Sequence, residues 1–136
     1  MQLGMRASAA ALAACAALLL TGCSDAYSRS TLDLRVFTSD FYKSDPGDFY
    51  GFLYSVDVTD AVCSPISDCE QAVRGEYFTW LKFSTLIAAS CYVEQLGERG
   101  VQIDLFVIDF DGKRVTAEQR SEIIEVVSGF YASSPD

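Results

Sequence analysis

The run LFVIDFDG at residues 105–112 decides how we expect this chain to fold. Four consecutive apolar side chains followed by an Asp-Gly pair are typical of a buried strand that ends in a turn. The apolar character extends backwards from this run, so we predict a single strand from Val101 to Phe110, the most apolar strand of the chain. The neighbouring sequence must therefore supply the other strands of a sheet and the helices that cover it.

A helix is predicted directly after this strand. Thr116-Ala117-Glu118-Gln119 has the capping-box spacing, in which the Thr and Gln side chains each satisfy a free backbone N–H of the first turn. Apolar residues then recur on one helical stripe, which we expect to be buried: Ile123, Ile124, Val127 and Phe130. The region is thus predicted to be a strand–turn–helix junction.

Two further strands are predicted upstream from alternation. Phe49 to Val58 alternates with period two, with Tyr54 and Val56 on the face that we expect to be buried and Ser55 on the other. Aromatic side chains at this spacing are what strands favour, so we read them as core rather than as a sugar-binding platform. Tyr77 to Phe83 is apolar on both faces, which predicts a central position in the sheet.

Two more helices are predicted between these strands. Ser84 is a plausible N-cap for a helix that ends at Gly97. The residues on its core-facing stripe are Leu86, Ala89, Val93 and Leu96. Ser67 and Glu70 have the capping-box spacing as well, which predicts a short helix that runs to Arg74.

These elements predict one α+β domain at residues 49–131, with a small three- to four-stranded sheet packed by two main helices on one face. Residues 132–136 are expected to be a tail. Residues 23–48 are expected to be a tether or extended arm, in which the alternation at residues 32–36 indicates a short strand or merely extended backbone.

The first 22 residues have the layout of a secretory signal. A short polar start with one Arg precedes an apolar run from Ala7 to Leu20. At about 14 residues, this run is too short to cross a hydrocarbon core, which requires about 20 helical residues. We therefore predict a cleaved signal peptide at residues 1–22.

Leu20-Thr21-Gly22-Cys23 resembles the lipobox of bacterial lipoproteins. The resemblance implies that Cys23 receives a diacylglycerol, that the signal is cut before it, and that the protein is held on the extracytoplasmic side of the cell membrane by its acyl chains. Two or more acyl chains hold a protein firmly on a membrane, whereas one binds only marginally. In bacterial lipoproteins, an Asp directly after the lipidated Cys acts as an inner-membrane retention signal. This chain has Ser24 at that position, so in an organism with two membranes the resemblance implies the outer membrane.

Composition excludes several functional classes. The chain has a net charge of −9, and removal of the signal removes Arg6 and no acid, so the mature chain carries −10. Such a surface repels nucleic acid, so we expect no nucleic-acid partner. There is no His, which excludes Ser-His and Cys-His catalysis and the commonest metal ligand.

Three Cys remain in the mature chain besides Cys23, in a setting that we expect to be oxidising. Cys63 and Cys69 are the predicted disulfide pair because the loop between them is short and contains Pro65, and Cys91 would then be the spare thiol. Sequence alone leaves the other pairings open. Three thiols without His do not complete a four-ligand zinc site, so we expect no metal and no cofactor.

The carboxylates were considered as sites. Asp109, Asp111 and Glu118 have part of a calcium-loop spacing, but the first loop position is the apolar Val107 and the preceding segment is a predicted strand, so we reject this site. The nearby acid pairs Asp57/Asp60 and Asp45/Asp48 could serve acid–base chemistry only if buried at a set separation. We therefore assign no catalytic residue.

The expected function is that of a membrane-anchored, non-enzymatic envelope module that binds an unknown protein or small ligand, or acts as an accessory spacer. The alternative is a carboxylate-dependent envelope hydrolase. The strand, Gly turn and helix start at residues 105–120 also resemble small actinobacterial lipoproteins of unassigned function. This resemblance implies no site residues.

Overall fold

The computed structural model describes residues 31–40, 54–111 and 115–133, with side chains as far as Tyr131. Within these ranges the chain forms one α+β domain with a five-stranded antiparallel sheet and three α-helices. The strands are β1 (Val56–Asp57), β2 (Cys69–Arg74), β3 (Thr79–Phe83), β4 (Gly100–Ile103) and β5 (Phe106–Asp109). The helices are α1 (Thr59–Cys63), α2 (Leu86–Leu96) and α3 (Ala117–Ser133), with 3-10 helices at Leu34–Thr38 and Gly97–Arg99.

The strand order is β1-β2-β3-β5-β4, so β3 is central, as its two apolar faces predicted. All five residues of β3 are buried. Trp80 enters one hydrophobic cluster, and Leu81 and Phe83 enter a second cluster on the opposite face of the sheet. The aromatic cluster comprises Leu34, Phe37, Val73, Phe78, Trp80, Leu105, Phe106, Ile108, Phe110, Ile123 and Val127. The disulfide-side cluster comprises Cys63, Ala72, Leu81, Phe83, Ala89 and Val107.

The aromatic cluster is covered by α3 and by the 3-10 helix Leu34–Thr38. The ring of Phe37 lies 5.0 Å from that of Trp80 and 4.9 Å from that of Phe130, measured between centroids. Leu34 is also fully buried, and its backbone N–H donates to Oε1 of Gln71 at 2.9 Å. The segment expected to be a short strand or extended arm is therefore helical and contributes two side chains to the core.

The disulfide-side cluster is covered by α1 and α2. Helix α2 ends at Gly97 as predicted, where φ is +62°, a conformation that favours glycine. Gly100 then starts β4 directly beneath the helix: a Cβ there would lie 2.8 Å from Cβ of Leu96 and 2.9 Å from Cγ2 of Val93. Any residue with a Cβ at position 100 would therefore force helix α2 and strand β4 apart.

Two features of the predicted fold are corrected by this arrangement. The sheet has five strands rather than three or four, and α1 adds a third helix. The helices cover both faces of the sheet rather than one. The α+β class and the single small domain are confirmed.

The predicted strand from Val101 to Phe110 is a hairpin of β4 and β5. Ile103 pairs with Phe106, and the chain reverses through Asp104, whose φ is +53°, and Leu105. Side chains hold this turn: the phenol of Tyr131 donates to Oδ2 of Asp104 at 2.6 Å. The prediction was wrong because Leu105 is apolar and buried although it lies in the turn. The hydrophobic pattern therefore does not distinguish the turn from the two strands.

The short helix predicted after Ser67 is also wrong, since Cys69–Arg74 is strand β2. Asp68, inside the predicted first turn, has a φ of +62°. A seven-residue helix has little stability of its own, whereas β2 gains pairing with β1 and β3 and buries Ala72 and Val73. The capping-box pattern was present, but strand pairing overrides it.

The expected faces of the first aromatic strand are reversed in its described part. Tyr54 and Val56 are exposed, while Ser55 is fully buried and its hydroxyl donates to the carbonyl of Phe37 at 3.2 Å. Only Val56–Asp57 is a strand there, and Tyr54 has a φ of +57°, which breaks the alternation. Residues 49–53 of that prediction lie outside the described residues.

The capping box at Thr116 is confirmed. The backbone N–H of Gln119 donates to Oγ1 of Thr116 at 3.1 Å, and the N–H of Thr116 donates to Oε1 of Gln119 at 2.9 Å. Ile123 and Val127 of the predicted stripe are fully buried in the aromatic cluster.

Candidate functional site

A groove of about 410 Å³ lies between helix α2 and the loop that follows α1. One wall is the loop at residues 65–68. The other wall is the face of α2 that carries Ile87, Ala88, Cys91 and Tyr92. The volume is in the range of small-ligand sites, and we call this feature the α2 groove.

The loop wall is fixed at both ends. Cys63 and Cys69 form the predicted disulfide, with their Cα atoms 5.0 Å apart. Within the loop, the N–H of Ile66 donates to the carbonyl of Cys63 at 2.8 Å. Because the cross-link closes a short loop at the start of β2, this wall is held in position before anything binds.

The two walls are joined at one end of the groove. The N–H of Ser84 donates to the carbonyl of Asp68 at 2.9 Å, and the Ser84 hydroxyl lies 3.4 Å from Oδ1 of Asp68. Helix α2 then begins, with Thr85 as its N-cap: Oγ1 of Thr85 accepts from the N–H of Ala88 at 3.1 Å. Ser84, the predicted N-cap, is one residue too early and instead ties the loop to the helix.

The helix wall presents apolar surface to solvent. Ile87 is 77 % exposed and Leu86 is 51 % exposed, although Leu86 was predicted on the buried stripe. The inward side of α2 is formed by Ala89, which is fully buried, and by Val93, which packs against the disulfide-side cluster. Leu86 and Ile87 together therefore leave apolar surface exposed beside the groove.

Cys91 and Tyr92 complete the helix wall. Cys91 is exposed and is not in a disulfide, as predicted for the spare thiol. The ring of Tyr92 packs 5.4 Å from that of Phe83, which anchors the base of the groove in the core. Burial, together with the negative charge of Asp109, raises the pKa of Tyr92, so its phenol is neutral at ordinary pH.

The acid pair at residues 57 and 60 does not form a catalytic arrangement. Asp57 is exposed, and its Oδ1 accepts from both the N–H and the hydroxyl of Thr59, at 2.9 and 2.6 Å. These bonds, the hydroxyl bond first, lower the pKa of Asp57, whereas a general acid requires a raised pKa. Asp60 is exposed at the start of α1. The other predicted pair, Asp45 and Asp48, lies outside the described residues.

The rejected calcium segment is structural in its described part. Asp109 is buried and forms a two-pronged ion pair with Arg99, with Nε–Oδ1 at 2.9 Å and Nη2–Oδ2 at 3.1 Å. Its Oδ1 also accepts from the N–H of Asp111 at 2.8 Å. Both oxygens of Asp109 are therefore engaged in joining the end of β5 to the segment before β4, and Glu118 lies on the exposed first turn of α3.

The described residues form neither a metal-binding cluster nor a membrane-spanning helix. They contain no group of three or more Cys, Asp or Glu side chains placed to hold a metal ion. They also contain no helix of the length and apolar character needed to cross a membrane. The predicted lipidation residue, Cys23, and the signal peptide at residues 1–22 lie outside the described residues.

The groove itself was not predicted. Its walls come from segments about 20 residues apart in the sequence, and no periodicity connects them. The one available signal was Ile87, an apolar residue off the buried stripe of its helix. No protein family, curated protein or solved structure matches this chain, so the site has to be judged from its own geometry.

Proposed function

We propose that this chain is a lipid-anchored protein of the bacterial cell envelope, and that its domain is a non-enzymatic binding module that uses the α2 groove. The anchor is proposed from the sequence Leu20-Thr21-Gly22-Cys23. The observation that carries the binding role is the exposed Ile87 beside a groove whose opposite wall is tied by a disulfide. A rigid wall lowers the entropy cost of binding, and an exposed apolar side chain supplies surface to bury.

The proposed anchor is compatible with an accessible groove. The eight Cα–Cα steps from Cys23 to Thr31 span at most about 28 Å. The chain then enters the domain through the 3-10 helix Leu34–Thr38, which packs on the aromatic-cluster side of the sheet. The groove opens on the other side, so an anchor at Cys23 would leave it free to meet a partner rather than the lipid surface.

The anchor is tested by Cys23→Ala in the full chain. We expect the wild-type protein to be recovered in the membrane fraction with acyl groups on Cys23, and the variant to be released or to keep its signal. Mass spectrometry of the N-terminal peptide measures this directly. An acylated variant would contradict the anchor.

The groove is tested by photo-cross-linking in the cells that produce the protein. A photoreactive benzoylphenylalanine is placed at position 87 in one variant and at position 125, an exposed site on α3, in a matched control. We expect a discrete cross-linked species from position 87 and none from position 125. Equal patterns from both positions, or none from position 87, would contradict a binding role for the groove.

A further inference from the structure

The segments that form the α2 groove carry negative charge only. Residues 63–69 and 84–96 contain no Lys or Arg. They contain two acidic residues, both exposed: Asp68 on the loop wall and Glu94 on α2. By contrast, the described parts of the opposite face mix both signs, with Arg35 beside Asp33 and Arg120 among the acids of α3.

From this charge and from the apolar wall, we infer that the α2 groove takes a cationic, leucine-like peptide segment of a protein partner. The inference rests on the proposed binding role of the groove and names its partner class. Complementary charge steers association and selects among partners. A partner with anionic groups, such as an acidic peptide or an anionic lipid headgroup, is repelled by Asp68 and Glu94.

The side chains in the groove indicate how such a segment would lie. Among the described residues that line the groove, only Asp68 is charged, and it lies on the wall opposite the apolar surface of Ile87 and Ala88. An apolar side chain of the partner would pack on the helix wall while a neighbouring Lys or Arg reaches the carboxylate of Asp68. Alternation of apolar and basic residues in an extended peptide meets both requirements.

The extent of the apolar surface favours a peptide over a small molecule. Leu86, half exposed, is not among the residues that line the groove, yet it adjoins Ile87 at the start of α2. A ligand confined to the groove would leave Leu86 in water, whereas a chain that continues along α2 would cover it. Covering this surface as well adds about 25 cal/mol per Å² to the favourable free energy of binding.

The inference is tested with three labelled, end-blocked hexapeptides and the full chain in a non-ionic detergent. The probes alternate lysine with leucine, glutamate with leucine, and lysine with serine, and binding is followed by fluorescence anisotropy. We expect saturable binding of the lysine–leucine peptide, at least about tenfold tighter than either of the others, because both charge and apolar contact are required. Added salt should weaken this binding.

Three variants locate the binding. Asp68→Asn removes the charge but keeps a residue that tolerates the positive φ at this position, and should weaken binding about fivefold. Ile87→Ser should weaken it about tenfold through lost apolar contact. Glu125→Gln, on α3, changes net charge by the same amount as Asp68→Asn and should have no effect.

The outcomes separate this inference from the proposed function. Equal or tighter binding of the glutamate–leucine peptide, with the same sensitivity to Ile87→Ser, would overturn the partner class and leave the groove as a binding site. Equal losses for Asp68→Asn and Glu125→Gln would overturn it too, since only net charge would matter. Failure of all three peptides would overturn the inference, while the cross-linking at position 87 judges the groove independently.

Discussion

The two sides of the sheet are built differently. The aromatic-cluster side is filled by large rings, with Trp80 5.7 Å from Phe106 and 5.0 Å from Phe37 between centroids, and is closed by α3. The disulfide-side cluster is smaller, relies on Ala72, Ala89 and a cross-linked loop, and leaves the α2 groove open. We therefore expect the aromatic-cluster side to contribute most of the stability, whereas the disulfide side leaves a groove open to solvent beside α2.

The largest expected effect comes from emptying the aromatic side. Trp80→Ala should destabilise the fold by about 3–5 kcal/mol, because a fully buried ring at the centre of the sheet is lost and a cavity remains. Ile87→Ala, on the groove wall, should change stability by less than about 0.5 kcal/mol. Urea unfolding of the full chain measures both, and similar losses for the two variants would break the comparison.

The next effect concerns the disulfide. Replacing both Cys63 and Cys69 by Ser should cost about 2 kcal/mol, since an unfolded chain without the short cross-linked loop gains conformational entropy. Cys91→Ser, the matched control, removes a thiol that is outside any disulfide and should be neutral. If the double variant were as stable as the control, the loop wall would not depend on its cross-link.

The two Thr N-caps allow a sharper comparison of the two sides of the sheet. Thr85 and Thr116 cap their helices with similar geometry, and these helices lie on opposite faces of the sheet. Thr85→Ala and Thr116→Ala should each cost about 1 kcal/mol, with recovery in the corresponding Ser variants. Only Thr85→Ala should also weaken binding of the lysine–leucine peptide, because Thr85 lines the groove. Equal effects of both variants on peptide binding would show that binding follows global stability.

The smallest effect is a pH dependence on the aromatic side. Hydrogen bonds from the Arg35 guanidinium to Asp33, at 2.9 and 2.7 Å, lower the pKa of that carboxyl to about 2. A pKa lowered by folding adds stability that is complete above about pH 4 and is lost as the pH falls towards 2. Because the Asp33 side chain is half exposed, we expect less than about 1 kcal/mol.

Unfolding at pH 5 and pH 2.5 measures this effect. The stability difference between wild type and Asp33→Asn should shrink between these two pH values. Arg35→Gln should reduce the change without abolishing it, because the N–H of residue 35 and the amide of Gln71 still donate to Asp33. A difference that grew towards low pH would have the wrong sign for a lowered pKa.

Several elements were predictable from sequence because local signals and packing agree. The capping box at Thr116 and the stripe at Ile123 and Val127 define α3, and the two apolar faces of β3 place it centrally. The disulfide followed from a short loop that contains Pro65. In each case one local pattern and its tertiary environment favour the same structure.

Other elements were not predictable because tertiary contacts decide them. The turn at Asp104 and Leu105 lacks a Gly and buries Leu105, so the hairpin reads as one strand. The 3-10 helix with Leu34 and Phe37 is short, and its place is set by packing on the rings of the aromatic cluster. The groove depends on the distance between two walls, which a sequence pattern does not encode.

The most direct test of the division between the two sides is amide hydrogen exchange of the full chain, by mass spectrometry, with and without the lysine–leucine hexapeptide. The peptide should slow exchange in residues 63–69 and 84–96, which form the α2 groove, and leave residues 31–38 and 117–131 unchanged. Slowed exchange in α3 or in the 3-10 helix Leu34–Thr38, with none along α2, would contradict the assignment of binding to the disulfide side.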